Sequence, residues 1–430
     1  MLDIQKRLTK SFYVLLSLPT TAMGFALCVQ IAALSWILNT KYGLDLDKIG
    51  LVWASGPLAG ILGQVIVGII SDKVWFWNGR RRPFILIGGT IAALMLLALP
   101  NIGVINEKMG IGSLIGVAIT VALTLDLAIN VSFNPTRSII ADVTPAGAAR
   151  TKGYTWMQTI SGLFGVLAYL IGAFISNYVL IYMGAVLVLL FSWVPMFFIK
   201  EPRDLNEQAA SDTGTVNTVT SWTAFLKICL AHAFTWLGVQ TMFVYNFAYV
   251  KEIIMGYKIT EELTATQNND IGFANGIAFA VLNTVGFLLP ALVLEPLTER
   301  FGRAKVHTIC IAIMALGYAL IYFGGQSNAM LFVFMAVVGI GWSAVVSLPF
   351  AIMSEVVDQR KMGLFMGLFN LSVVLPQLVA SGLGGFIKNQ PDKSVIYLIS
   401  MLALAVSAVL WLLVKDKGAP LKGKMAPAGH

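Results

Sequence analysis

GIISDKVWFWNGRRRPF, residues 68–84, is a polar, strongly basic interruption between two apolar runs. It carries an acid, Asp72, and then a Gly-Arg pair, Gly79-Arg80, with Arg81 and Arg82 behind it. LEPLTERFGRAKVH, residues 294–307, repeats that order with Glu299 and Gly302-Arg303. The echo continues downstream. Pro135 is followed by Ala141-Asp142-Val143, and Pro349 by Ser354-Glu355-Val356. The offset is a little over half the chain, which reads as one multi-helix unit used twice in parallel.

The runs around these loops set the fold class. The 430 residues are 57% hydrophobic and only 12% charged, with a mean hydropathy of +0.81. Soluble domains are about 45–50% apolar and about 25% charged. So little charge cannot cover a water-exposed surface, which excludes a cytosolic enzyme, a secreted protein and a disordered chain. About 20 mostly apolar residues cross the hydrocarbon core as a helix. That template predicts about twelve spans, at 12–38, 50–71, 84–100, 112–141, 153–177, 179–199, 223–250, 271–297, 305–324, 328–353, 363–387 and 394–414. The first follows Lys6, Arg7 and Lys10 and is too long for a cleaved signal, so it reads as an uncleaved span. The polar stretch 200–222 divides the spans six and six. The expected organisation is a six-helix bundle at 1–199, a cytoplasmic linker at 200–222, a second bundle at 223–414 and a cytoplasmic tail at 415–430.

Basic residues orient the chain. With the amino terminus inside, the inner segments hold most of the Lys and Arg, among them Arg80, Arg81, Arg82, Arg150, Arg203, Arg300, Arg303 and Arg360. The outer loops hold only Lys41, Lys48, Lys108, Lys251, Lys258, Lys388 and Lys393. Both termini are therefore expected in the cytoplasm, and the net charge of +8 needs no nucleic acid to explain it. Cys28, Cys229 and Cys310 lie in apolar runs and read as core residues. His232, His307 and His430 are scattered and form no metal-ligand set. No phosphate loop, nucleophile–base pair or metal motif is present, so neither an enzyme nor an ATP-driven pump is expected.

GRRRPF (79–84) brings a family into view. With GFAL (24–27), WASGPLAG (53–60), Asp126 followed eleven residues later by Arg137, Gln158, SLPFAIMSE (347–355), KMGLFMGLFN (361–370) and Leu-Pro-Gln (375–377), the chain resembles the glycoside–pentoside–hexuronide cation symporters. Within them it is similar to plant sucrose transporters and their bacterial relatives. The resemblance covers most of the chain. It implies an all-α membrane protein of the major facilitator fold, with two pseudo-symmetric six-helix halves. It also implies uptake of a sucrose- or maltose-like disaccharide coupled to a cation, usually a proton, with Asp126 as proton acceptor and Arg137 needed beside it. Plant members carry an acidic cluster at the outer end of span 7. Here Asn246, Phe247, Ala248 and Tyr249 stand there, with Lys251 and Glu252 following.

The residues support a chemistry of their own. Asp126 lies about 20 Å into span 4 on a helical rise. An acid at a helix centre costs roughly 2.5–3.5 kcal/mol on insertion scales, and holding a proton lowers that cost. A group so placed can load a proton on one side and release it on the other. Asn130 and Arg137 fall on the same helix face as Asp126. Arg137 is about 16 Å along the axis, too far for a permanent salt bridge, so coupling is expected through sugar or water. Span 2 has no acid above Asp72, and a single carboxylate suits a proton better than sodium. No cofactor other than the coupling proton is expected.

Sugar recognition needs amides, hydroxyls and flat rings in a dry cavity. The candidates are Gln30, Asn130, Gln158, Asn283, Asn370 and Gln377, with Trp53, Trp156, Trp236 and Trp342 as stacking rings. Each is equally readable as helix–helix packing. Asp72, Arg80, Arg81, Arg82, Asp142, Glu299, Arg303 and Glu355 are expected to form inner-gate contacts that pair and separate. The expected protein is a monomer in a bacterial inner membrane that binds a small sugar. A proton-driven exporter of an amphipathic compound, a sodium-coupled sugar symporter and a non-transporting sugar sensor stand as alternatives.

Overall fold

A computed structural model describes residues 7–60, 74–144, 148–201, 220–358 and 362–415. The helices are numbered by the span they occupy. They are α1 Lys10–Thr40, α2 Leu46–Trp53, α3 Arg82–Ala98, α4 Leu114–Val143, α5 Ala148–Phe174 and α6 Asn177–Phe198. The series continues with α7 Trp222–Tyr249, α8 Ala265–Leu289, α9 Arg303–Gly324, α10 Asn328–Val345, α11 Met362–Gly382 and α12 Val395–Trp411. Among the described residues ten helical stretches are long and apolar enough to cross a membrane, and α12 is a shorter apolar helix. Span 2 runs on from α2 into 61–73, outside the described residues, as do most of the linker (202–219) and the tail from 416. Among the described residues the only β pairing is the isolated bridge Phe76–Gly79.

The helix starts follow side-chain chemistry. Thr9, Ser113, Ser176 and Ser327 each accept the backbone N–H three residues on, at 3.1–3.4 Å. This satisfies a donor that the first turn leaves open. Span 3 runs past its expected end at 100. It continues through Leu99–Asn101 and Ile102–Met109 and stops at Gly110, whose φ of 61° closes the helix. α7 also overruns, ending in a wide π turn, Val250–Ile254.

The chain forms two compact units. The first comprises Met1–Gly214, Gln240–Ala280 and Gln377–Ile396; the second comprises Thr215–Val239, Val281–Pro376 and Tyr397–His430. The first unit thus joins α1–α6 to stretches of α7, α8 and α11. Close packing makes those joins. A Cβ on Gly276 of α8 would lie 2.9 Å from the carbonyl oxygen of Tyr169 in α5, so glycine lets the two backbones touch. One end of this unit carries the loops 41–45 and 255–264, here called the Lys41 end. The other carries 74–81, the Arg81 end. There Phe12, Leu16, Ile85, Ile139, Ile140, Met157 and Met196 form an apolar cluster drawn from α1, α3, α4, α5 and α6. A two-residue turn, Trp77-Asn78, leads into α3 with φ of 50° and 61°. Phe76 and Gly79 exchange both backbone hydrogen bonds across it, at 3.1 and 3.2 Å, the geometry of a tight hairpin turn.

Candidate functional site

Asp126 sits mid-way along α4, 7% exposed, and it faces protein on every documented side. Gln30 of α1 donates Nε2–H to its Oδ2 at 3.0 Å. Ser55, just past α2, hydrogen-bonds the same carboxyl. Its hydroxyl donates to the Val52 carbonyl at 2.6 Å. Gly56 completes the wall. A Cβ there would lie 2.9 Å from Asp126 Oδ2 and 3.2 Å from Cγ, so the carboxyl lies flat on bare backbone. Among the described residues no cation pairs with it. A carboxyl met only by an amide and a hydroxyl has partners in either protonation state and a fixed counter-charge in neither.

The rest of α4 extends this site. Asn130 donates to the backbone carbonyl of Asp126 at 2.8 Å, holding the helix turn rather than the carboxyl. Arg137 is exposed, with its guanidinium over the Phe133 ring at 5.0 Å. Among the described residues it meets no carboxylate, so Asp126 and Arg137 do not form an ion pair. Tyr154 of α5 donates to the Arg137 carbonyl at 3.3 Å. Gln158, one turn on from Tyr154, is exposed.

Gln377 of α11 donates to Gln240 of α7 at 3.2 Å, so its amide joins two helices of the first unit. Near the Lys41 end such joins multiply. Ser35 donates to the Val244 carbonyl (2.9 Å) and Tyr245 to that of Ser381 (2.7 Å). Asn246 is fully buried and donates to Asn275 Oδ1 at 2.7 Å. Lys251 Nζ is held by Asn39 Oδ1 and the carbonyls of Ile259 and Glu261, at 3.0, 3.0 and 3.1 Å. Lys388 bridges Asp45 and Asp47 at 2.8 and 3.4 Å. A polar cavity of about 280 Å³ lies there, lined by Asn39, Lys41, Lys251, Glu261 and Asn268 among others.

The second unit has its own cluster. Trp236 Nε1 donates to His232 Nε2 at 2.9 Å, so that nitrogen is bare and a neutral ring carries its proton on Nδ1. His232 stacks on Phe369 at 4.8 Å and 13°. Trp236 meets Trp342 edge-on at 6.1 Å, and Trp342 Nε1 donates to Asn283 Oδ1 at 3.3 Å. Asn370 is half-buried one residue beyond Phe369.

The charged loops are paired within each unit. Arg81 Nε bonds Asp142 Oδ2 at 3.1 Å, both side chains 9% exposed. Arg303 bonds Glu355, and that pair is a quarter exposed. Glu201 accepts the backbone N–H groups of Arg80, Arg81 and Arg82 at 2.8, 2.8 and 2.7 Å, capping the start of α3 with a carboxylate. Asp72 and the side chain of Glu299 lie outside the described residues.

A family model described as MFS/sugar transport protein matches residues 12–415. The chain belongs to this family of major facilitator sugar transporters. It is an integral membrane protein and a transporter, not an enzyme. The rice (Oryza sativa subsp. indica) sucrose transport proteins SUT2 and SUT5 are 24% and 25% identical to it. The SUT2 match covers 81% of this chain and 82% of the relative, and the SUT5 match 90% and 84%. Sucrose transport protein SUC4 of Arabidopsis thaliana is 24% identical over 86% of the chain and 82% of the relative. Among solved structures, a mutant of the nucleoside transporter NupG superposes with a TM-score of 0.70 at 15% identity, covering 94% of this chain and 99% of that one. The xylose transporter XylE from E. coli, inward open, gives 0.69 at 14% identity, covering 96% and 97%. These likenesses establish the major facilitator fold of the transporter, with about twelve helices in two pseudo-symmetric halves.

The transporter's Gln30, Ser55, Gly56 and Asp126 meet across three separate spans. In the sequence Asp126 stood out as an acid far from both ends of its span and Gln30 as one of several candidate amides for sugar, with no sign that they touch. Glu201 went unread, Ser55 and Gly56 entered only within WASGPLAG, His232 read as one scattered histidine, and Lys251 and Lys388 read as outer-loop charges. Only the glycine in SGP (55–57) offered a signal, as a small residue opposite a mid-span acid.

Proposed function

We propose that the chain is a proton-coupled symporter importing a disaccharide or glucoside, sucrose- or maltose-like, by alternating access. The observation that carries this reading is the Asp126 carboxyl, buried mid-helix against Gln30, Ser55 and Gly56 with no cation beside it. An ionised carboxylate there is expensive and a protonated one is not. The group therefore takes or gives its proton as solvent access changes. Arg137, exposed on the same face, bridges to it through sugar or water. Asn130, Gln158, Asn283, Asn370 and Gln377 offer amides to hydroxyls, and Trp236 and Trp342 offer ring faces. The sugar class is supported by the sucrose transport proteins among the relatives.

In this reading 1–199 and 223–414 are the two bundles of a monomer, joined by the linker 200–222 and followed by the tail 415–430. The positive-inside bias places both termini in the cytoplasm of a bacterial cell, which makes the Arg81 end inner and the Lys41 end outer. The ion pairs Arg81–Asp142 and Arg303–Glu355 then belong to the inner gate, together with Asp72 and Glu299.

The test uses purified protein in liposomes. Sucrose or maltose supplied outside should alkalinise the medium and accumulate when a proton gradient is imposed. Asp126→Asn should accumulate nothing while still exchanging labelled for unlabelled sugar. Full accumulation by that variant would sink the assignment. Accumulation driven by sodium instead would move the coupling ion, and failure of sugar counterflow with both sugars would favour an exporter of another compound.

A further inference from the structure

Gln30 has a feature that its hydrogen bond to Asp126 leaves unexplained. Its Nε2 donates to Asp126, while its Oε1 is buried without any hydrogen-bond partner, and the residue is only 1% exposed. A buried acceptor left unpaired is destabilising, and such groups in native structures call for an explanation. The terminal torsion of a glutamine is soft and roughly two-fold, so its amide can turn over in place. In one orientation N–H faces the carboxyl and suits the anion. In the other, C=O faces it and suits the acid, whose O–H needs an acceptor.

We infer that Gln30 is a positioning residue for the coupling proton: an ambidentate amide that turns over as Asp126 gains or loses its proton, keeping the carboxyl bonded and facing inward in both states. The inference rests on Asp126 as the proton acceptor. The orphaned oxygen is the acceptor of the protonated state, seen here in the ionised arrangement. Among the described residues the groups facing Asp126 are Gln30 from α1 and Ser55 and Gly56 from the segment after α2, none of them charged. Asn130 turns to the backbone, and Cys28, two residues before Gln30, bonds Tyr169 of α5 instead. No other amide reaches the carboxyl among the described residues, so the turning amide is Gln30, with the Ser55 hydroxyl beside it.

Gln30→Met keeps the length and removes both polar atoms. In liposomes its sucrose or maltose counterflow should keep a KM within about twofold of the unmodified protein. A hydrogen bond to the charged form is the stronger of the two lost, so the pH of half-maximal uptake should move upward by roughly one unit. The infrared carbonyl band of protonated Asp126, identified by its loss in Asp126→Asn, should shift to higher frequency as its O–H loses an acceptor. An unchanged pH midpoint or an unshifted band overturns the inference. So does a KM raised about tenfold at an unchanged midpoint, which would make Gln30 a sugar ligand. Should Gln30→Met fail to fold, Gln30→Asn, one methylene short of the carboxyl, is read by the same two measurements. Full accumulation by Asp126→Asn would remove the proton acceptor itself, an outcome separate from failure at Gln30 alone.

Discussion

Two corners of the molecule descend from one sequence pattern and are built differently. In the first unit Arg81 and Asp142 are both 9% exposed, and Glu201 caps the following helix through three backbone N–H groups. In the second unit Arg303 and Glu355 are about a quarter exposed, and α9 begins at Gly302 with no side-chain cap. The glycines of the two Gly-Arg pairs also differ in purpose. Gly302 has φ 88° and ψ 147°, a region nearly closed to other residues. Gly79 needs no such angle. A Cβ on it would instead press on the Glu201 carboxylate and lie 2.8 Å from Arg82 Cβ. The same two letters answer a backbone demand in one half and a space demand in the other. The first corner is a fixed joint, and the second is a solvent-softened one.

The comparison breaks hardest at Asp142. Asp142→Ala removes the carboxylate that meets Arg81 Nε at 3.1 Å in a nearly buried ion pair, and breaking such a pair from one side should destabilise the folded protein by about 3–5 kcal/mol. Thermal unfolding in detergent would read this as a large drop in midpoint; a loss no greater than at Glu355 would mean the two corners are equivalent after all. Glu201→Gln comes next. It keeps the shape but removes the charge that caps α3, and should lose about 1–2 kcal/mol, visible by the same melt. Gly302→Ala should lose about 1–3 kcal/mol through backbone strain. Gly302→Asn, no easier at that ψ, should do no better, and a neutral result at Gly302 would show that the turn relaxes freely. Glu355→Gln should be the mildest, within about 1 kcal/mol, and raising salt should erase most of it while leaving the Asp142 effect standing.

Much of the architecture was legible because lipid imposes a simple rule on composition. The apolar runs located α1 and α3–α12, and the repeated acid-Gly-Arg loop located the two corners. The overruns at 101–109 and 250–254 were not legible. At 250–254 the helix continues through polar residues that find protein partners, as Lys251 and Glu252 do, and at 101–109 it ends in exposed Glu107 and Lys108. At the site, Asp126 stood out because a lone acid in an apolar run is costly. Its company did not, since Gln30 and Gly56 meet it only through the crossing of helices 70 to 96 residues apart in the chain. Lys251 and Lys388 were counted as outer-loop charges that orient the protein. Counting charges says nothing about the oxygens that gather around them.

Those oxygens decide how firmly the two loops of the Lys41 end are tied together. Among the described residues the direct hydrogen-bond partners of the Lys251 ammonium are three neutral atoms, an amide oxygen and two peptide carbonyls, with the carboxylates of Glu252 and Glu261 acting on it only through space. Water offers the same three acceptors with nearly the same strength, so hydration can replace them one for one with little net change. A carboxylate in their place would have made a rivet. Neutral oxygens make a tie that yields to solvent.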